Sequence, residues 1–148
     1  MIMNILPYSS VHFDDCQKIL RSNIPDYIDP CEESKFVNYL STANIIYFIL
    51  VDSERLIACG GYGFNNKTQA CTLSWGVVHN EFHNKGYGTQ LLTYRLKHIK
   101  KRYGDIDVEL DTSQKTYQFY EKFNFKVKKI TYDFYGEGLD RYDMRLSN

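Results

Sequence analysis

Neither sign of charge is in excess, because eighteen Lys and Arg residues balance eighteen Asp and Glu residues along the 148-residue chain. Without net charge there is no bulk field to recruit nucleic acid or an anionic membrane, so neither is expected as a partner. The four cysteines (Cys16, Cys31, Cys59, Cys71) form no C-x-x-C pair and no Cys/His cluster at zinc spacing. They read as reduced, mostly buried thiols, and no metal is expected. Met1 to Pro7 is too short and too uncharged for a signal peptide, and no apolar run approaches membrane-spanning length. A cytoplasmic location follows as the expectation. Repeats, low-complexity tracts and linkers are also missing, which leaves a single domain over residues 1–148.

What is present is ordinary for a globular protein: a hydrophobic share of 43% and a charged share of 24% suffice for a real core. Thirteen Tyr and nine Phe suit core and half-buried strand packing. In chain order, Met3 to Leu6 reads as an edge strand ended by Pro7. Ser9 or Ser10 caps a helix over Val11 to Ser22, with Val11, Cys16, Ile19 and Leu20 on one face. Ile24-Pro25 and Asp29-Pro30 bracket a loop before a second helix from Cys31 to about Ser41, with Phe36, Val37 and Leu40 inward. The residues Asp26, Tyr27, Asp29, Glu32 and Glu33 form either a solvated face or the lining of a site for a cationic substrate.

Three strands follow, Ile45 to Val51, Arg55 to Phe64 and Gln69 to Val78. Their short turns at Asp52-Ser53 and Asn65-Asn66-Lys67 make an antiparallel meander. A helix from Gly88 to about Tyr103 has Leu92, Leu96 and Ile99 on its inner stripe, with Leu91 alongside. Its closing Lys97, Lys100, Lys101 and Arg102 suit the negative end of a helix dipole. Ile106 to Leu110 is a strand, and strand–helix–strand at this spacing is a parallel crossover. A helix from about Gln114 to Phe123 follows, capped by Asp111, Thr112 or Ser113 and ended by a left-handed Asn124. Phe125 to Tyr135 and Asp140 to Leu146 pair across Gly136-Glu137-Gly138. The fold class is α+β: a mixed, mostly antiparallel twisted sheet of about six to seven strands flanked by about four helices.

The most informative stretch is Trp75 to Leu92, an apolar strand, a turn and a glycine-punctuated helix entry. Gly86 and Gly88 stand where backbone N–H groups at the positive end of a helix dipole can hold an anion, so a phosphorylated ligand is expected. A dinucleotide fingerprint needs a third glycine, where this chain has Leu91, and the phosphate loop of nucleotide hydrolases needs G-x-x-x-x-G-K-[ST], which is absent.

The residues Val78-His79-Asn80-Glu81-Phe82-His83-Asn84-Lys85-Gly86-Tyr87-Gly88 resemble the acyl-CoA loop of the Gcn5-related N-acetyltransferase (GNAT) superfamily, roughly V-x-P-x-x-[RQ]-x-x-G-x-[GA]. A second block, Phe119-Tyr120-Glu121-Lys122-Phe123-Asn124-Phe125, resembles that family's F-Y-E-K-x-G-F helix end, and the element order matches from end to end. His83 departs from the usual Arg or Gln, Asn80 from Pro, and Asn124 from Gly.

By this resemblance the chain is an N-acetyltransferase that moves acetyl from acetyl-CoA to a primary amine of unidentified class by direct attack. The cofactor pyrophosphate would be cradled by His83, Asn84, Lys85, Gly86, Tyr87, Gly88 and Thr89. A main-chain N–H of Val77 or Val78 would hold the developing oxyanion. Ser113 would bond the pantetheine amides, and Tyr120 would protonate the departing thiolate. Relatives often carry a Glu at the position of Thr72, beside Leu73 and Ser74, so the base is open among Glu109, Asp111, Ser74 and His79. Glu137 or Asp140 in the tail either holds a cationic acceptor or is a solvated turn charge. A homodimer is possible in this family. The alternative reading is an acyl-CoA binding domain without turnover.

Overall fold

The central apolar run decides the layering. Along Ile46–Asp52 (β2), Tyr47 and Ile49 point one way and Phe48 and Leu50 the other, and all four are buried. A strand buried on both sides must sit inside a sheet covered on both faces. The computed structural model describes residues 3–148 and shows that sheet. Met1 and Ile2, the start of the segment read as too short for a signal peptide, lie outside the described residues.

The other strands are β1 (Met3–Pro7), β3 (Arg55–Asn65), β4 (Ala70–Val78), β5 (Val108–Thr112), β6 (Lys126–Gly136) and β7 (Leu139–Leu146). Among the described residues they lie in the order β1-β2-β3-β4-β5-β7-β6, seven strands, within the expected six to seven. Among the described residues only the β4–β5 neighbours run parallel. Helices α1 (Phe13–Ser22) and α2 (Glu32–Leu40) pack Cys16, Ile19, Leu20, Phe36 and Leu40 on Tyr47, Ile49, Cys59 and Val77. Helix α3 (Tyr87–Tyr103) packs Leu91, Leu92 and Ile99 on the opposite face, against Phe48, Leu50, Ile57 and Leu73. Each fully buried Leu or Ile contributes about 1.5–3 kcal/mol. A short α4 (Tyr117–Glu121) joins this second layer. Among the described residues no helix is long and apolar enough to cross a membrane.

Several local expectations need correction. Val11 is 80% exposed, because Ser10–His12 forms a 3-10 turn and α1 begins only at Phe13. Three of the four thiols are buried, in line with the expectation that most would be, and Cys31 is exposed. The expected helix from Gln114 to Phe123 shrinks to α4, with Thr116 as its cap, since the Ser113 carbonyl takes the N–H groups of Thr116 and Tyr117 in a preceding turn. Hydroxyl residues there compete for backbone groups and favour such turns. Asn124 is left-handed, with φ 71°. On α3 the inner stripe carries Arg95 rather than Leu96, which is only half-buried.

His98, also on α3, has Nδ1 2.6 Å from the Tyr62 hydroxyl and lies beside the Phe48 ring. Burial first, then the charges of Arg102 and Lys101, hold its imidazole below the ordinary range. An imidazole depressed in the fold takes up its proton in the unfolded chain first. Its contribution is therefore complete above about pH 6.5 and is lost as pH falls from there through the folded value. Denaturant titrations at about pH 7.5 and about pH 5.5 are expected to show the loss, and His98→Gln to flatten it. Equal slopes in the two proteins would assign the pH dependence to other groups.

Candidate functional site

β4 and β5 pair only at Cys71–Val108 and Thr72–Glu109, although both continue well beyond. Past that point they diverge and leave a cleft in the middle of the sheet. A bulge in β4 accompanies the divergence: the register with β3 shifts between Cys59–Val77 and Gly61–Ser74, which places Trp75 and Gly76 opposite Gly60. Trp75 sits in left-handed geometry at φ 47°, an uncommon state for a bulky residue. Its carbonyl accepts the Tyr47 hydroxyl at 2.8 Å, and its ring packs 5.1 Å from Phe36.

After the bulge, the His79 N–H donates to the Ile57 carbonyl at 2.9 Å. Antiparallel ladders alternate, so the hydrogen-bonded pairs are 57 with 79 and 59 with 77, and Val78 lies between them. The Val78 N–H and carbonyl thus point away from β3, toward the cleft side, while those of Val77 face β3. Val78's carbonyl accepts the Asn23 amide and the His83 Nε2–H, both at 3.0 Å. Ser22 accepts the Asn80 N–H at 3.0 Å, so the end of α1 is stitched to the strand end. Asn23 is buried and had no sequence signal, because its partner lies far along the chain.

The loop from His83 into α3 leaves a run of main-chain amides without partners among the described residues. Asn84 (φ 60°) and Gly86 (φ 88°) are left-handed and bracket Lys85, an arrangement that turns successive N–H groups to one side. The first protein-bonded amide after His83 is Gln90, donating to Gly86 at 3.1 Å. Among the described residues, the six N–H groups from Asn84 to Thr89 donate to nothing. They stand at the positive end of a 17-residue helix. Lys85 and Arg55 both approach the Phe82 ring, at 5.7 and 4.8 Å, and add positive charge beside the loop. Arg55 comes from β3 and is unreadable as a site residue in the sequence. Tyr87 is tied to Asp52 by a 2.6 Å hydrogen bond, and His83 packs edge-on to Tyr27 at 5.0 Å.

Gly88 brings the pieces together. A Cβ built on it would lie 3.4 Å from Phe119 and 3.8 Å from Val78. These are ordinary van der Waals distances, so the start of α3, the end of β4 and helix α4 meet at this residue. Tyr120, next to Phe119, is partly buried with its ring against Phe119 and Phe125. Its hydroxyl bonds no described residue. Ser113 is buried, and its hydroxyl accepts the Lys115 N–H at 3.2 Å.

The four candidates for proton removal separate clearly. Glu109 receives Asn65, Thr68 and Thr72 on Oε1 and Arg145 on Oε2, at 2.8–3.1 Å. A carboxylate holding four donors is a strut between strands. His79 accepts the Glu81 N–H at 3.2 Å and caps the turn before the loop. Ser74's hydroxyl makes a long 3.4 Å bond to Thr72 of its own strand. Asp111, an exposed residue past the divergence of β4 and β5, accepts the Tyr135 hydroxyl and has Arg141 at 3.8 Å. Burial and the Asp111 charge push the Tyr135 phenol far above its ordinary range.

The loop before α2 closes over this region. Lys115 bonds the Asp26 carbonyl, Asp29 lies against Gly136, and Cys31 donates to the Tyr135 carbonyl at 3.3 Å. Glu33 pairs with Arg21 and Glu32 with Lys35, both at 2.8 Å, so both carboxylates are engaged within the α1–α2 layer, where Glu32 is buried. Asp140 accepts the Asp133 N–H and braces the β6–β7 hairpin.

Residues 43–127 match the family model for the acetyltransferase (GNAT) domain. An N-alpha-acetyltransferase of Saccharolobus solfataricus is 26% identical, over 91% of this chain and 89% of its own. The ribosomal-protein-S18-alanine N-acetyltransferase of Escherichia coli has the same fold, with TM-score 0.81 at 17% identity over 98% of this chain and 93% of that one. An aminoglycoside 6'-N-acetyltransferase solved with coenzyme A superposes with TM-score 0.77 at 19% identity, over 99% and 96%.

Proposed function

The chain belongs to the GNAT acetyltransferase family, and on that premise we propose that residues 1–148 act as one N-acetyltransferase domain. It moves an acetyl group from acetyl-CoA to a primary amine in the cytoplasm. The observation that carries this reading is the run of unbonded N–H groups from Asn84 to Thr89 beside a cleft between two diverging strands. Those donors, with Lys85 and Arg55 at their side, fit a pyrophosphate. The relatives bear names that cover both peptide α-amines and aminoglycosides, which supports a primary amine as acceptor.

Acetyl-CoA supplies an activated thioester. The Val78 N–H, directed to the cleft side, is the donor for the oxygen that gains charge as the amine attacks. A C–N bond forms as the C–S bond breaks, and the electron pair leaves with sulfur. Tyr120's free hydroxyl gives that sulfur its proton. The amine's surplus proton departs through water toward Asp111, since Glu109 is fully engaged, and water then returns a proton to Tyr120. Thiolate is a good leaving group, so Tyr120→Phe is expected to lower kcat by about ten- to a hundredfold with acetyl-CoA affinity nearly unchanged. A variant at full speed would remove Tyr120 from the reaction.

Isothermal titration with acetyl-CoA, ATP and NAD tests the binding step, and only acetyl-CoA should bind. Release of free thiol across a panel of peptide, polyamine and aminoglycoside acceptors tests turnover. Tight acetyl-CoA binding without thiol release from any amine would favour the second reading, a binding domain without turnover. The one observation on its side is Thr72, which stands where a carboxylate would serve as base and instead bonds Glu109.

A further inference from the structure

Arg95 is out of place by the rules of core packing. It lies on the inner stripe of α3 and is only 3% exposed, yet no carboxylate of the described residues pairs with it. Nη1 donates to the Gly61 carbonyl at 3.2 Å, and the buried Nε bonds nothing. Taking a guanidinium out of water without a counter-charge is strongly unfavourable. A leucine or methionine would fill the same helical position without that penalty.

The surroundings are specific. A Cβ on Gly76 would sit 2.8 Å from Arg95 Nη2, and one on Gly60 would sit 3.1 Å from Cζ. The guanidinium therefore occupies the space that two absent side chains leave beneath the β4 bulge. The bulge is held from both faces: Tyr47 grips the Trp75 carbonyl from one side and Arg95 grips the Gly61 carbonyl from the other. Gly76 immediately precedes the Val77-Val78 segment, so the charge lies against the residue that leads into the strand end. Its field also reaches the far face of the sheet. Burial raises the Tyr39 phenol there, and Ser74 and the Arg95 charge pull against it.

We propose that Arg95 is a positioning residue for acetyl transfer, fixing the bulge that aims the Val78 N–H into the cleft and placing a buried positive charge behind the thioester oxygen. The inference rests on the acetyl-CoA reading above. In a low-dielectric interior a preorganised charge acts most strongly on negative charge that develops during reaction. The guanidinium is poorly compensated in the resting protein and better compensated as the oxygen becomes an oxyanion. That difference favours the transition state over the ground state.

The test uses the full chain with Arg95→Met, which keeps volume and removes charge, and Arg95→Lys, which keeps charge and loses the fork. Three measurements are needed: thiol release, acetyl-CoA affinity by titration, and the infrared carbonyl stretch of bound acetyl-CoA carrying 13C at the carbonyl. Arg95→Met is expected to lower kcat about tenfold or more, with acetyl-CoA Kd changed by less than about threefold and Tm equal or higher. The carbonyl stretch should move to higher wavenumber, and Arg95→Lys should recover part of both kcat and the stretch. Wild-type kcat and stretch in Arg95→Met would overturn the proposal. So would parallel losses of kcat, affinity and Tm that lysine does not rescue, which would show a purely structural residue. Failure of the wild-type chain to bind acetyl-CoA would instead overturn the acetyltransferase reading, and the infrared arm needs no acceptor.

Discussion

Gly86→Val is expected to weaken acetyl-CoA binding about a hundredfold while the fold survives. Gly86 caps α3 at φ 88°, a conformation that an L residue adopts at a cost of about 1–2 kcal/mol and a β-branched one more reluctantly still. Nothing lies within 4 Å of the position a Cβ would take. The added Cβ thus meets no atom beyond its own stretch of chain, and the main effect on stability is backbone strain. Gly86 lies in the middle of the Asn84–Thr89 run of amides proposed above to hold the pyrophosphate. Relief of the strain would rotate the peptide and turn those amides out of line. A charge-assisted hydrogen bond contributes about 1.5–3 kcal/mol, so losing one or two of them matches the expected drop. Titration with acetyl-CoA reads the affinity and a thermal melt reads the strain. Gly104→Ala is the control, because Gly104 (φ 73°) closes the other end of the same helix with equally open surroundings. That variant should melt lower and bind acetyl-CoA as wild type does. Affinity within about threefold of wild type in Gly86→Val would place the pyrophosphate elsewhere, whatever the melt shows.

Much of this site lies on one continuous stretch, and for that reason it was legible. The strand to Val78, the turn and the glycines of α3 depend on local periodicity and on φ preferences that single residues carry. The same holds for the meander, whose turns at Ser53-Glu54 and Asn65 to Gln69 rely on left-handed residues and short polar side chains. What escaped is pairing across the sheet. Thr72 looked like a missing base until the β4–β5 register set it opposite Glu109, where the two side chains bond and Glu109 is consumed. The cleft exists because that register ends after Thr72, and no residue of either strand announces where it ends. Arg95 falls on the inner stripe by simple spacing. Its meaning depends on Gly60 and Gly76, which are contributed by two other strands. Val11 failed for a local reason: the 3-10 turn at Ser10–His12 rotates it out of the helical phase that the spacing assumed.

The glycines under the bulge make the second large effect calculable. Gly61→Ala is expected to destabilise the protein by about 3 kcal/mol or more, a large part of the roughly 5–15 kcal/mol that holds a domain together. An added Cβ would sit 2.0 Å from the Ile46 carbonyl oxygen, 2.8 Å from Tyr47 Cδ1 and 2.9 Å from Tyr47 Cα. Two of these three are backbone atoms, so no side-chain rotamer relieves the contact. β2 is also held in place, since β3 pairs with it from Ile46 to Asp52, β1 pairs with it from Phe48 to Asp52, and the Tyr8 N–H donates to the Tyr47 carbonyl at 2.8 Å. Relief has to come from β3, and Gly61 carries both the register shift with β4 and the carbonyl that Arg95 holds. The alanine should therefore disturb the bulge as well as the packing, and kcat should fall in whatever fraction remains folded. Gly63→Ala supplies the comparison: it lies two residues along the same strand with nothing within 4 Å, and there the change should be neutral or stabilise by about 0.4–1 kcal/mol. Urea denaturation of the two variants reads the difference directly as a shift in midpoint at constant slope. Equal midpoints would mean that β2 and β3 stand further apart than the Gly61 contacts require, and the pinning of the bulge by Tyr47 and Arg95 would lose its geometric basis.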